Sequence, residues 1–288
     1  MTELLDKSVF LEIEIHATEL AKETGMLLSK HFGNPLHVEY KDEHENNPVT
    51  EVDKEAQEFL VSRILDRFPD HGILGEEDSG ENDNEPAPDF VWVLDPLDGT
   101  KNFIGGLPIF ASSIGILYRG RAIAGAIYVP WPNETKGAVF HAREGGGSFL
   151  GTRRLSIEDN KTSNRNKLTA IPAAFNKEFR FEESMKSKLG DLRITGSIAF
   201  EMAMATKGVF QYSINTGPRI WDVAAGTVIL AEAGGAVLSV ISDKTEWNTI
   251  TSFEPHWISG KTNFGNLRNW SSPILFGDVE TVSLIASN

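Results

Sequence analysis

The sequence predicts a layered α+β protein whose second half turns to an α/β pattern. Three observations carry this. Two amphipathic helical stretches occupy the first 70 residues, a run of strands with tight turns fills residues 90–155, and beyond residue 168 short apolar segments alternate with helical ones.

Residues 9–32 read as the first helix. Ile13, Ala17, Leu20, Leu27, Leu28 and Phe32 recur at roughly helical spacing, and Gly33-Asn34-Pro35 stops it. After the polar loop YKDEHENNPVT comes the second helix, in TEVDKEAQEFLVSRILDRFP. Ala56, Phe59, Leu60, Ile64 and Phe68 form its apolar face, Thr50 with Asp53 resembles a capping box, and Pro69 closes it. HGILGEED holds a short apolar piece, with His71 read as a turn residue. The acidic, proline-containing loop 77–89 follows, and its residues 81–85 read as solvated surface. FVWVLD is a buried strand. PIFASSIGILYRGRAIAGAIYVP makes two strands joined at Arg119-Gly120, and KGAVFHAREGGGSFLGTRRL makes two more, broken at Gly145-Gly146-Gly147. That glycine triplet lacks a following Lys-Ser or Lys-Thr, so it is a turn rather than a phosphate loop.

Residues 158–167, EDNKTSNRNK, are polar and without periodicity, and mark the expected boundary between subdomains 1–157 and 158–288. Then LTAIPA reads as a strand, 180–189 as a helix, LRIT as a strand, SIAFEMAMATKG as a core helix and VFQYSI as a strand. DVAAGTVILAEAGG is a helix and AVLSVI a strand.

The totals narrow the function. A chain of 288 residues with 40% hydrophobic and 24% charged residues is ordinary globular protein. A net charge of −14 opposes binding to nucleic-acid phosphates. With no cysteine, disulfides, zinc-thiolate centres, iron–sulfur clusters and thiol nucleophiles are excluded. The seven histidines show no HxxH or HExxH spacing. The start is charged, and no segment approaches the ~18 apolar residues of a membrane span, so a cytoplasmic protein without membrane contact is expected.

The chemistry lies in WVLDPLDGTKNF. Asp95 and Asp98 follow a buried strand, and Pro96 stiffens the backbone between them. They could cap a turn, since Asp98-Gly99 is a turn dipeptide by itself. Glu76 and Glu77 end another apolar stretch nearby. Carboxylates converging at strand ends repel one another unless a divalent cation sits among them, and Mg2+ favours such oxygen ligands. Asp222 precedes a helix that is apolar on nearly every face, hence a buried one, so that its N-terminus points inward. Asp222 suits an N-cap and a metal ligand equally. Trp92 and Trp221 are expected to wall the apolar side of these segments, and Trp257 and Trp270 to pack a subunit or domain contact.

DPLDGTKNF (95–103) resembles the Asp-Pro-x-Asp-Gly-Thr-x-Asn-Phe signature of the inositol monophosphatase family, which comprises Mg2+-dependent, lithium-sensitive phosphomonoesterases. WDVAAGTVILAEAGG (221–235) resembles the family's second signature. GEE (75–77) and VTEVD (49–53) match its other acidic segments in the expected order, and the similarity runs from about residue 10 to about 265.

The resemblance implies a layered αβαβα sandwich, with the site between two subdomains, and a homodimer. It implies two or three Mg2+ ions: one on Glu76, Asp95 and the Leu97 carbonyl, a second on Asp95, Asp98 and Asp222, and a weaker third near Glu76, linked to Asp53 through water. Thr100 would orient the attacking water, with Glu76 or Asp53 taking its proton, and the amides of Gly99 and Thr100 would bind phosphate. No nucleophilic serine motif is present, which favours direct attack by water. Substrate is a small phosphorylated metabolite: an inositol phosphate, histidinol phosphate, fructose 1,6-bisphosphate or a 3′-phosphoadenosine compound. The selecting segments are 193–200, with Gly196 and Ser197, and 212–220, with Asn215 and Arg219. Inositol-preferring members carry a glutamate where this chain has Asn215, so strict inositol specificity is not expected here. Arg219 could meet a second anionic group. A non-catalytic metal- or phosphate-binding regulator is the alternative from another class, and the intact Thr100 and Asp222 argue against it.

Overall fold

A computed structural model of the chain describes residues 7–40, 48–131, 137–158, 168–172, 190–240 and 246–287. Two helices come first, α1 (Lys7–His31) and α2 (Glu51–Arg67), with a short ribbon of β1 (Val38–Tyr40) and β2 (Pro48–Thr50) between them. The expected capping box is present: Thr50 Oγ1 accepts from the amides of Val52 and Asp53, and the Thr50 amide donates to Asp53 Oδ2 at 2.8 Å.

The strand run forms one sheet in chain order. It contains β3 (Gly72–Gly75), β4 (Phe90–Asp98), β5 (Ala111–Tyr118), β6 (Arg121–Val129), β7 (Ala138–Arg143), β8 (Gly147–Leu150) and β9 (Arg153–Leu155). β3 pairs parallel to β4 and the remaining neighbours are antiparallel. Helix α3 (Thr100–Ile104) leaves the end of β4.

The second half builds β10 (Leu168–Ala170), β11 (Asp191–Arg193), α4 (Ile198–Thr206), β12 (Phe210–Asn215), α5 (Ile220–Glu232), β13 (Ala236–Val240), β14 (Trp247–Thr249), α6 (Phe264–Arg268), β15 (Ile274–Gly277) and α7 (Val279–Ala286). Its sheet runs β11-β10-β12-β15-β13-β14. The α/β pattern is only partly realised: β10, β11 and β12 are parallel, whereas β13 and β15 enter antiparallel. The expected helix at 180–189 and most of the expected boundary at 158–167 lie outside the described residues.

The layers run α-β-α-β-α. α1 and α2 cover one face of the first sheet, α4 and α5 lie between the two sheets, and α7 packs against β12 and β15 on the far side. Three apolar cores fill the gaps. Leu20, Leu60 and Trp92 belong to the first, Val91, Met202 and Ile229 to the central one, and Tyr212, Leu275 and Val282 to the third. α5 is buried along nearly its whole length, as a helix without a polar face must be. Gly115 and Gly125 face each other across β5 and β6, and a Cβ on either would lie 2.7 Å from Ala224 or Ala225 of α5. Their bare backbones let the start of α5 settle directly on the sheet.

Four expectations change. The strand of FVWVLD continues to Asp98, with a register shift between Asp95 and Asp98, because β5 still pairs with Asp98 at Ala111. His71 is more than a turn residue. It stacks between Phe68 and Phe90 at 4.8 and 4.6 Å, and its Nδ1 accepts from Trp92 Nε1 at 2.9 Å. Within 81–85, Asp83 is tied down by Arg268 rather than solvated, at 2.7 Å. Trp257 and Trp270 pack against the central core, Trp270 edge-on to Phe253, because the 250–270 segment folds back over the first sheet's rim.

Candidate active site

Both acidic segments of the first sheet end side by side. Gly75 pairs with Leu94 in the parallel β3–β4 ladder, and the Glu76 amide donates to the Leu94 carbonyl at 3.0 Å. Glu76 therefore sits next to Asp95. The register shift after Asp95 lets the strand carry both Asp95 and Asp98 toward the same end of the sheet. Asp95 is 1% exposed, and its Oδ1 accepts from the Leu97 amide at 3.1 Å.

Gly99 follows in the left-handed region, φ +96°, where a Cβ would meet the Ile109 carbonyl at 3.0 Å. This residue turns the chain into α3, whose first amides receive no side-chain cap. Thr100 Oγ1 lies 3.2 Å from Asp53 Oδ1 and 3.1 Å from the Leu97 carbonyl, so its one proton is shared between them. Asp53 itself is buried by the capping box, with Oδ2 taken by Thr50 and Oδ1 facing Thr100.

The second half closes the site. Ser197 Oγ and the Ala199 amide both donate to Asp98 Oδ2, at 2.8 and 2.5 Å, which sets this carboxylate at the positive N-terminus of α4. Asp222 is not the N-cap of α5. The helix starts at Ile220, Arg219 is the capping residue, and Asp222 occupies the third position, where its Oδ2 accepts from the Arg219 amide at 2.7 Å. A carboxylate there still lies in the first turn, so both functions remain open to it. Gly196 is exposed with φ +76°, Ser197 is buried, Asn215 is buried at the end of β12, and Arg219 is exposed at the rim.

The electrostatics are those of acids crowded together and buried. Burial raises the Asp53 carboxyl, opposed by its Thr50 hydrogen bonds and reinforced by the charge of Glu76. Burial pushes Asp95 well above the usual carboxylate range, and the charges of Glu76, Asp98, Asp222 and Asp53 push it further. Asp98 is raised in the same way, by burial and then by Asp222. Asp222 is raised by burial too, with Glu76 adding to it.

No group of three or more acidic or histidine side chains among the described residues already has the spacing of a metal cage. Asp98 and Asp222 both act on the buried Asp95 by their charge. The donor chemistry nonetheless fits a hard divalent cation. Every donor is an oxygen, and among the described residues no cationic side chain bonds to Asp53, Asp95 or Asp98. A divalent ion bound among them would relieve their repulsion.

Several positioning residues carry a weaker sequence signal. Gln57, one helical turn after Asp53, donates to Asp78 Oδ1 at 2.7 Å and accepts from the Glu77 amide at 3.0 Å. Asp78 in turn accepts from the Gly75 amide at 2.6 Å. Arg268, at the end of α6, reaches the Gly75 carbonyl at 3.2 Å and Asp83 at 2.7 Å, so a residue remote in sequence clamps the Glu76 turn. Asn102 of the first motif donates to the carbonyls of Ile109 and Thr195, at 2.6 and 2.7 Å, joining α3 to the 193–197 loop. Its place in DGTKNF was the available signal. Arg268 had none.

The model of the inositol monophosphatase family matches residues 11–259. The chain is a member of the inositol monophosphatase family. Among its relatives, fructose-1,6-bisphosphatase/inositol-1-monophosphatase of Aquifex aeolicus is 31% identical over 216 residues, covering 73% of this chain and 79% of that protein. The Nus factor SuhB of Escherichia coli is 34% identical over 231 residues, covering 77% and 82%. Among solved structures, the Thermotoga maritima IMPase superposes with a TM-score of 0.71 at 26% identity, over 96% of this chain and 97% of that one. Inositol monophosphate-bound SaIMPase-II gives 0.67 at 25% identity, over 96% and 93%. The layered sandwich is thus the inositol monophosphatase fold.

Proposed function

We propose that this family member is a Mg2+-dependent phosphomonoesterase that hydrolyses a small phosphorylated metabolite by direct attack of water. The observation that carries the reading is the convergence of acids on Asp95, where the charges of Glu76, Asp98, Asp222 and Asp53 all act, with the Thr100 hydroxyl 3.2 Å from Asp53. Glu76, Asp95 and the Leu97 carbonyl would hold one Mg2+, Asp95, Asp98 and Asp222 a second, and Glu76 with Asp53 a weaker third. When bound, Mg2+ neutralises phosphate charge and acidifies coordinated water.

The residues divide the remaining work. Thr100 gives its proton to Asp53 or the Leu97 carbonyl, so its oxygen lone pairs are left to accept from the nucleophilic water. Asp53, whose proton affinity burial has raised, takes the water's proton through Thr100 or directly, with Glu76 as the other base within the cluster. The uncapped amides at Gly99 and Thr100 bind the phosphate oxygens. Gly196, Ser197, Asn215 and Arg219 border the leaving-group side. Asn215 in place of a glutamate supports a broad or non-inositol specificity, in keeping with a relative named for both fructose-1,6-bisphosphatase and inositol-1-monophosphatase. A cytoplasmic homodimer, with the site between subdomains 1–157 and 158–288, completes the proposal; among the described residues no helix is long and apolar enough to cross a membrane.

Phosphate release from inositol 1-phosphate, histidinol phosphate, fructose 1,6-bisphosphate and 3′-phosphoadenosine 5′-phosphate tests it, with Mg2+, with EDTA, and with Asp222→Asn. Mg2+-dependent release that the variant loses is expected. Faster turnover of inositol 1-phosphate than of every other ester contradicts the specificity. No release, with Mg2+ binding demonstrated, favours the regulator, a reading that gains support from relatives named Nus factor SuhB.

A further inference from the structure

Glu201 is a buried acid of a different kind. It lies on α4, an otherwise apolar helix, and is 4% exposed. Three neutral groups donate to it: the Thr195 hydroxyl, Ser213 Oγ at 2.6 Å and Asn215 Nδ2 at 3.0 Å. Ser213 spends its only proton on Glu201 and therefore accepts from Asn215 Nδ2, at 3.1 Å. The nitrogen end of the Asn215 amide is thus committed to the network.

A carboxylate only accepts, so the nitrogen end of Asn215 must face Glu201 and the amide cannot turn over. Its Oδ1 is directed away from the network, and no described residue donates to that oxygen. Asn215 ends β12, at the entry to the short loop that carries Arg219 and leads into α5, where Asp222 sits. The other end of the network is also part of the site. Thr195 holds Asn102 through its carbonyl, and two residues later Ser197 holds Asp98.

We propose that Glu201 is a positioning residue for substrate selection: by accepting from Asn215 Nδ2 it presents Asn215 Oδ1 as a fixed, neutral acceptor for one hydroxyl of the leaving group. The proposal rests on the phosphatase reading. It assigns the leaving group to polyols and sugars that carry a free hydroxyl, and it gives no preference to an aryl group. It also accounts for a neutral residue at 215, because a glutamate there would bring a second buried carboxylate against Glu201.

The test compares the full-length protein with Glu201→Gln and Asn215→Ala in Mg2+, on glycerol 2-phosphate, which has a polyol leaving group, and on p-nitrophenyl phosphate, which has none. Glutamine keeps the size of the side chain but can donate, so the amide of Asn215 is free to flip. Both variants are expected to raise KM for glycerol 2-phosphate about tenfold, the worth of one directed hydrogen bond, and Glu201→Gln is expected to keep p-nitrophenyl phosphate turnover within about twofold of wild type. Parallel loss on both substrates indicates a purely structural Glu201 and overturns the proposal, as does no change on either. Glu201→Asp, which keeps the charge but draws it back from Asn215, takes the place of Glu201→Gln if that variant fails to fold, with the same expected and overturning results. If the wild type releases phosphate from neither ester, the phosphatase reading fails separately. Calorimetric binding of glycerol 2-phosphate then decides: about tenfold weaker binding to the variants supports the positioning role, and equal affinity overturns it.

Discussion

Glu14 and Asp95 are buried to nearly the same extent, 3% and 1% exposed, and their surroundings are opposite. Glu14, on α1, accepts from His141 Nδ1 at 2.7 Å and from Arg143 at 2.5 Å, both on β7. Burial alone would raise its carboxyl, but the two hydrogen bonds and charges outweigh burial and leave it lowered. His141 Nε2 also lies 2.8 Å from the Gly151 carbonyl, so the ring is held at both nitrogens. Asp95 has other acids around it and one backbone amide. Burial thus has two outcomes here. With its own cations an acid ties α1 to the sheet, and without them it stores repulsion that an outside ion can release.

The largest expected effect breaks the second case. Asp95→Asn is expected to lower phosphatase activity by more than the ~100-fold typical of an outer-shell partner of a metal. In EDTA the same variant is expected to melt higher than wild type, by about 2–4 °C for each kcal/mol of repulsion removed. A lower melting temperature in EDTA would show that Asp95 is held by structural bonds after all. Millimolar Mg2+ should raise the wild-type melting temperature and leave the variant's nearly unchanged.

Glu14→Gln breaks the first case and should act in the opposite sense. Loss of this partly exposed pair is expected to cost about 2 kcal/mol at pH 7, less than a fully buried pair because Arg143 and His141 regain some water. Since the folded carboxyl is lowered, its contribution is complete above the unfolded value near ~4.3 and is lost as pH falls through the folded value. Urea unfolding should therefore show the gap between wild type and variant closing below about pH 4.

A smaller effect sharpens the comparison by touching an acid indirectly. Arg268→Ala is expected to weaken Mg2+ binding about tenfold in calorimetric titration, because the Gly75–Asp78 turn that carries Glu76 loses its clamp. Arg268→Lys should recover only part, since one ammonium cannot span Asp83 and the Gly75 carbonyl together. The smallest effect concerns His71, which burial lowers and which stands neutral between two rings. Its folded value lies below the unfolded one, so its contribution is complete above about pH 6.5 and declines as pH falls through the folded value, by no more than ~1.4 kcal/mol per unit. Unfolding at pH 7.5 and 5.5 should show this slope in wild type and a reduced one in His71→Phe.

Much of the site was legible because it is built from local rules. Thr50 and Asp53 form a cap over three residues, and Asp98-Gly99-Thr100 is a turn into a helix; both follow from short-range geometry. The placement of Asp222 as N-cap failed because its side chain reaches back to the Arg219 amide, an alternative use of the same carboxylate one turn further in. The reading of residues 81–85 as solvated holds at Glu81, Asn82, Asn84 and Glu85, which are exposed, and fails at Asp83, whose partner Arg268 lies 185 residues away. Glu201 stood out only as a lone acid in IAFEMAMAT, and nothing in that pattern names its three donors.

By itself the sequence determined the main helices and strands as far as residue 241, the burial of α5, the oxygen-only donor set and the exclusion of thiol chemistry, because periodicity, capping and composition are properties of short windows. Only the tertiary structure decided that Glu76 lies beside Asp95, that α4 delivers Ser197 to Asp98, and that Asn215 is held by Glu201 with its amide turned one way. Those contacts join segments brought together by sheet register and by the packing of α4 and α5 between two sheets, and no local pattern encodes that packing.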